Sequence, residues 1–288
     1  MAISAADVKK LRDQTGAGMM DCKNALQKAN GSFEDATTLL RKQGLASAAK
    51  KAGRATSEGV IGQLLAADHH SGVLVEVNCE SDFVARTDDF QQLVSDVIDE
   101  IEAAGDAATE AWLEDPTGPI RQRVAASIGK MGENMAVPRF VRYVGHGYVG
   151  QYIHLGGKLG VQVEFGGVTP DQTRRAEFAT LVKEIAMQIA AANPTYATRD
   201  AVPAEVLEKE RSIYRGQMEG SGKPAQVIDK IVEGKLGSFY AQVVLPDQAS
   251  IRDPKTTVAA VIAAAGKALG AKIAVNRFAR LKVGESVD

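Results

Sequence analysis

The residues best placed to do chemistry stand together at Asn78–Cys79–Glu80–Ser81–Asp82–Phe83–Val84–Ala85–Arg86. A thiol, two carboxylates, a hydroxyl and an aromatic ring lie side by side there. A nucleophilic Cys79 is the first reading to test. Glu80 and Asp82 raise a neighbouring thiol's pKa, which is the wrong direction for a thiolate. Elsewhere there is no G-x-x-x-x-G-K-[ST], no H-E-x-x-H and no G-x-S-x-G, and the four histidines fall in no catalytic motif. Gly145–His146–Gly147–Tyr148–Val149–Gly150 does satisfy G-x-G-x-x-G. A dinucleotide site needs a helix to open there, whereas Tyr148 and Gln151–Tyr152–Ile153–His154 read as strand and hairpin. Enzyme chemistry is the weaker class, and binding the stronger. For binding, the informative pair is Asp82–Phe83. Either Phe83 folds into the core and Asp82 helps cap a helix, or both are contact residues on an exposed junction.

The flanking elements decide between these. Gly72–Val77 is an apolar, β-branched run that reads as a buried strand, and Phe90, Leu93, Val94, Val97 and Ile98 recur at helical spacing after a cap at Asp88 or Asp89. Sliding the sequence by 88 positions lays Gly59–Val60–Ile61–Gly62–Gln63 on Gly147–Tyr148–Val149–Gly150–Gln151, and Gly72–Val77 on Gly160–Phe165. Phe90, Leu93 and Val94 then meet Phe178, Leu181 and Val182. This predicts two copies of a strand–turn–strand–helix unit. The junction alone is not retained, because Ser81–Asp82–Phe83–Val84 becomes Thr169–Pro170–Asp171–Gln172. The fold therefore does without an aromatic at this place, and Asp82–Phe83 reads as a surface feature.

Around the repeat, residues 1–44 carry three capped helical patterns, broken at Thr15–Gly18 and Asn30–Gly31 and ended by Gly44. Met19 and Met20 read either as core filler or as adaptable contacts at an exposed turn. Arg41–Arg54 holds five basic residues and no acid, and reads as a solvated linker or a linker with some helix. Asp68–His69–His70–Ser71–Gly72 is a hairpin turn with solvent-facing histidines. Between Arg86 and Arg121 stand ten acidic residues and no basic one, taken as a solvated helix face. His154 is either a structural surface residue or a contact. Beyond Pro203, two apolar stripes joined at Ser221–Gly222–Lys223–Pro224 predict an antiparallel helical hairpin. A helix over 256–269 and a strand over 272–283, slipping near Asn276, complete the chain.

The net charge of −2 and a pI near 6.2 argue against a general nucleic-acid or membrane field. No apolar run approaches membrane-spanning length, and no targeting segment is read at the start. Cys22 and Cys79 sit far apart, without histidines at ligand spacing. A reduced, cytoplasmic chain with no metal and no cofactor is the expectation.

Four stretches together resemble the bacterial elongation factor Ts family: Thr15–Gly16–Ala17–Gly18–Met19–Met20–Asp21–Cys22–Lys23, Asn78–Ala85, Ser221–Pro224 and Ile231–Val232–Glu233–Gly234. The resemblance covers nearly the whole chain. It implies an α+β protein, with a small three-helix ubiquitin-associated-like domain before a core of two repeated antiparallel-sheet/helix halves, and an inserted antiparallel helical hairpin. The expected boundaries are 1–55 for the first domain and its basic linker, 56–140 for the amino-terminal half, 141–181 with 241–269 for the carboxy-terminal half, 182–240 for the hairpin, and 270–288 for a carboxy-terminal module. The implied function is non-enzymatic. The chain would bind the G domain of elongation factor Tu and promote GDP release by displacing Mg²⁺. Ser81, Asp82, Phe83 and Val84 would enter near the Mg²⁺ site, with Phe83 as apolar wedge and Asp82 as acceptor. Met19, Met20 and His154 would make secondary contacts. Ser81 stands where the family usually has Thr, so the hydroxyl is kept. No direct nucleic-acid or membrane partner is implied, and a homodimer through the hairpin stays open. The alternative class is a translation accessory with Arg41–Arg54 on RNA, which steep salt dependence of RNA binding would favour.

Overall fold

Ser4 starts the first helix, α1 (Ala5–Thr15): its hydroxyl accepts from the Asp7 amide while the Asp7 carboxylate accepts from the Ser4 amide. The computed structural model describes residues 3–145 and 147–285. Gly16 ends α1 in the left-handed conformation, α2 (Met19–Lys28) follows, and Ser32 caps α3 (Phe33–Lys51). Val8, Leu11, Cys22, Ala25, Leu26, Ala36 and Leu40 close a small core among the three. The third helix does not end at Gly44. It runs on through most of the basic tract, which is therefore no flexible linker, and Gly44 is a buried packing position. A Cβ there would stand 3.2 Å from the Ala125 carbonyl oxygen of a later helix. The glycine reads as a stop in sequence because close helix–helix approach and chain termination use the same residue.

The first half is built from β1 (Glu58–Leu65), β2 (Ser71–Cys79), the short α4 (Asp82–Ala85), α5 (Asp88–Ala104), α6 (Glu110–Glu114), α7 (Pro119–Met131) and β3 (Met135–Val144). The second half contains β4 (Tyr148–Ile153), β5 (Leu159–Gly166), α8 (Pro170–Thr173), α9 (Ala176–Ala192), the hairpin helices α10 (Ala204–Gly216) and α11 (Ala225–Val243), then α12 (Val258–Leu269) and β6 (Ala274–Lys282). The described residues form two three-stranded antiparallel sheets, ordered β1-β2-β3 and β4-β5-β6.

The central strands are buried on both faces. Val73, Val75 and Val77 face α5 and α7, packing with Phe90, Leu93, Val97, Ile101 and Ile128. Val161, Val163 and Phe165 meet Phe178, Leu181, Ile185 and Ile189 of α9 together with Leu269 of α12. The opposite faces meet each other, with Ile61, Leu74 and Leu281 between the sheets. Layers of helix, sheet, sheet and helix result. The shared glycines now have a cause. A Cβ on Gly62 would stand 2.4 Å from Val94 Cγ1, and one on Gly150 would stand 2.4 Å from Val182 Cγ1, so each glycine lets its helix lie close on the sheet.

Each half also buries one carboxylate in its central strand. Glu76 accepts from Arg139 Nε at 2.8 Å, and Glu164 from Arg277 Nε at 2.8 Å and Asn276 Nδ2 at 2.8 Å. The register skips at Asn276, the point where the alternation of the sequence slips.

Several boundaries move. Residue 182 falls inside α9, whose Ile185 and Ile189 belong to the second core. Residue 140 falls inside β3. β6 is the third strand of the second sheet and so part of the half rather than a module beyond it. The acidic tract is not only a solvated face: Asp96 and Glu100 pair with Arg123, and Glu102 and Asp106 with Arg142. His69 is turned inward across the sheets. Its ring stacks on Tyr148 at 4.3 Å, and its Nδ1 lies 2.9 Å from the Val149 carbonyl oxygen. His146, within the rejected glycine motif, lies outside the described residues, and β4 runs through Tyr148–Ile153 where a nucleotide-binding helix would have to begin.

Candidate functional site

β2 ends at Cys79, paired with Glu58 at the start of β1. The thiol is fully buried and donates to the Ser81 carbonyl at 3.1 Å. Burial, with Glu133 nearby, pushes its pKa from 9.0 up to about 11, so it is a structural group and no nucleophile. Glu80 points the other way, accepting from the Asn134 amide at 2.6 Å and from Arg54 at 3.4 Å. The Asn134 amide holds this carboxyl below the usual range.

Ser81 caps α4. Its hydroxyl oxygen accepts from the Val84 amide at 3.3 Å and donates its proton to Glu133 Oε1 at 2.6 Å, while its own amide donates to Glu133 Oε2 at 2.9 Å. At the other end, Thr87 donates to the Val84 carbonyl at 2.8 Å and accepts from the Phe90 amide, capping α5. Ala85 is buried beneath, and its carbonyl accepts from Gln91 Nε2 at 2.8 Å. The four-residue helix is thus fixed at both ends and below. What it presents outward is Phe83, 79% exposed, beside Asp82. Among the described residues Asp82 is held only by Arg86 at 2.8 Å, an exposed i,i+4 pair worth about 0–1 kcal/mol, so a partner can take the carboxylate at little cost.

The second half repeats this backbone without the chemistry. Thr169 caps α8 as Ser81 caps α4, and Asp171 occupies the place of Phe83. The short helix needs no aromatic to form. The buried reading of Phe83 is excluded.

Of the four junction residues, Asp82 and Phe83 are available to a partner, Val84 is half-buried, and the Ser81 hydroxyl is already engaged on both sides. Met19 and Met20 are 48% and 62% exposed in the first turn of α2, so they are surface residues and not core filler. The turn before them passes over Lys130 near the end of α7, and Lys130 pairs with Asp89 beside α4. His154 is exposed after β4, with Nδ1 2.9 Å from the Tyr152 hydroxyl. Its turn rests on β1: the Gly157 carbonyl accepts from the Ile61 amide at 2.7 Å, and Lys158 pairs with Glu58, which faces Cys79 across the sheet. The β4–β5 turn and the Phe83 helix therefore share one end of the molecule. Sequence reasoning missed Leu155 in this turn. At 91% it is the most exposed large apolar side chain among the described residues, and the available signal was a leucine between a histidine and two glycines. It also missed Glu133, a single glutamate after Gly132 with no motif around it. No cluster of metal-ligating side chains forms among the described residues.

The model of the elongation factor TS family matches residues 80–285. Similar curated relatives carry the match through the preceding residues. They include elongation factor Ts of Trichlorobacter lovleyi, 42% identical with all of this chain and 94% of the relative aligned, and that of Aquifex aeolicus, 41% identical over 99% of each. Elongation factor Ts of Halothermothrix orenii is 40% identical, again over all of this chain and 94% of the relative. The chain belongs to the elongation factor Ts family. It is thereby a translation elongation factor, and the junction just described lies at the start of the family match. Among the described residues no helix is long and apolar enough to cross a membrane.

Proposed function

We propose that this member of the elongation factor Ts family is a guanine nucleotide exchange factor for elongation factor Tu, with Asp82–Phe83 as the inserting element. The observation that carries this is the exposure of Phe83 on a helix that is anchored at both ends and that the second half builds without an aromatic. A rigidly mounted apolar side chain beside a loosely held carboxylate suits insertion into a pocket better than it suits any structural task.

A GTPase holds its nucleotide through phosphate contacts and a bridging Mg²⁺. In this reading Phe83 wedges into the G domain near that ion, and Asp82 exchanges Arg86 for partner groups. Moving the Mg²⁺ removes the largest local positive charge, so the phosphates lose stabilisation and GDP leaves. No bond is made or broken, so the chain is no enzyme and uses no cofactor of its own. Linkage is reciprocal: if this protein weakens nucleotide binding, nucleotide weakens this protein's grip by the same factor, which releases the product complex. Met19 and Met20 on the ubiquitin-associated-like unit, and His154 with Leu155 on the β4–β5 turn, add affinity around the wedge. The setting is cytoplasmic, and a homodimer would form through Ile213 and Val227 on the hairpin.

The RNA-binding alternative loses its tether. Within the basic tract, Lys51 donates to the Ile128 carbonyl at 3.4 Å and Arg54 pairs with Glu80. Timing the release of labelled GDP from elongation factor Tu on mixing with the purified protein tests the proposal. An unchanged release rate refutes it.

A further inference from the structure

The geometry points to Glu133 as the positioning residue for the helix that carries Asp82 and Phe83. This rests on the exchange reading above and adds to it how the inserting element is aimed. A helix of four residues is too short to hold itself, and its orientation depends on its caps. In the second half the cap is closed locally. Thr169 accepts from the Gln172 amide, and the Gln172 side chain accepts from the Thr169 amide at 2.8 Å. In the first half the corresponding residue is Val84, which has no acceptor to offer. The Ser81 amide and hydroxyl turn instead to one carboxylate 52 residues away, at 2.9 and 2.6 Å.

A carboxylate suits this task because it offers acceptors alone, and both bonds are charge-assisted. Glu133 is itself well held. Gly132 before it ends α7 with φ 82°, and Asn134 after it donates its amide to Glu80 and its side-chain Nδ2 to the Arg54 carbonyl at 2.8 Å. Two consecutive turn residues thus grip two consecutive residues of the junction. The Ser81 hydroxyl then acts by relaying Glu133 to the Val84 amide, not by meeting the partner. A Ser serves this relay as well as a Thr.

Three measurements test this on the full-length chain: amide hydrogen exchange over Asp82–Arg86, the GDP-release rate at saturating protein, and the concentration for half saturation. Glu133→Gln puts an amide donor against one of the Ser81 donors, and Glu133→Ala removes both acceptors. Either should speed exchange of these amides about 10-fold or more, as expected for losing a hydrogen bond to a charged group. The saturating release rate should fall roughly 5-fold or more while half saturation moves little, since the other contacts remain. In a Phe83→Ala background, Glu133→Ala should cost less release than it does alone, because only the aim of Asp82 is left to lose. Val84→Gln added to Glu133→Ala should restore amide protection by rebuilding the local cap seen at Thr169–Gln172. Unchanged amide exchange in Glu133→Ala overturns the proposal. So does a loss of release that multiplies with Phe83→Ala, or a lowered melting temperature with the release rate intact. Full release by Phe83→Ala alone would instead refute the wedge reading, and amide exchange would still decide the clamp.

Discussion

Replacing Phe83 by alanine separates a contact residue from a core residue. The side chain is 79% exposed, so about a fifth of its area contributes to folding. Fully burying a phenylalanine is worth about 1.5–3 kcal/mol, which leaves roughly 0.3–0.6 kcal/mol at this site. For a chain of this size that lowers Tm by about 1–2 °C. An aromatic anchor lost from an interface typically costs about 2 kcal/mol or more. If all of that acts on the transition state for nucleotide release, exchange efficiency falls about 30-fold, and if half does, about 5-fold. Asp82→Ala should lose exchange as well, and the double variant should lose less than the product, because both residues serve one insertion. Phe90 is the control. It is fully buried, and Phe90→Ala should cost roughly 3–5 kcal/mol of stability. A thermal melt beside a GDP-release assay reads both quantities. Equal melting losses for the two variants, or a Phe83→Ala protein with full exchange activity, would refute the reasoning.

Three further outcomes follow from the packing. Gly44→Val places a side chain against the Ala125 carbonyl and should destabilise the α3–α7 contact by about 1–3 kcal/mol, read in urea melts; no loss would mean that α3 does not lie on α7 as described. Cys79 holds its proton up to about pH 11 when folded but only to about 9 when unfolded. Its contribution is therefore full below pH 9 and lost as pH rises towards 11, and Cys79→Ala should flatten that part of the stability–pH curve. Replacing 206–239 by a short glycine-rich link leaves the base of the hairpin, where Thr195 donates to the Val243 carbonyl at 2.8 Å and Arg199 Nε to Asp247 at 2.9 Å. The product should keep measurable GDP release, and a folded product without any release would place an essential contact in the hairpin.

Where local chemistry determines local structure, the sequence was enough. Ser4 and Ser32 announce their helices, and the apolar run of β2 and the stripe on α5 follow from burial, although α5 is capped by Thr87, with the expected caps Asp88 and Asp89 in its first turn. The repeat register was also readable, because α4 and α8, and α5 and α9, begin 88 positions apart and match in length. What stayed hidden are contacts between residues far apart in the chain. Gly44 has the local signature of a helix end, and only α7 explains it. β6 lies far from β5 in sequence, so it looked like a separate tail. Of the candidate site, Asp82–Phe83 was legible because a second copy lacks it. Glu133 was not, because one glutamate in a turn carries no sign of which amide it will meet. His69 likewise reads as a turn residue until the opposite sheet is in place.

The two buried carboxylates also measure time. Glu76 finds Arg139 63 residues later, but Glu164 waits for Arg277, 113 residues later, because the hairpin lies between. At ribosomal speeds of ~5–20 residues per second, the wait is roughly 3–13 s for the first strand pair and roughly 6–23 s for the second. During that interval β5 has one bare edge, a valine-rich strand able to pair with any other chain. The hairpin thus costs the nascent protein a delay, and makes its second sheet the more vulnerable to mispairing during synthesis.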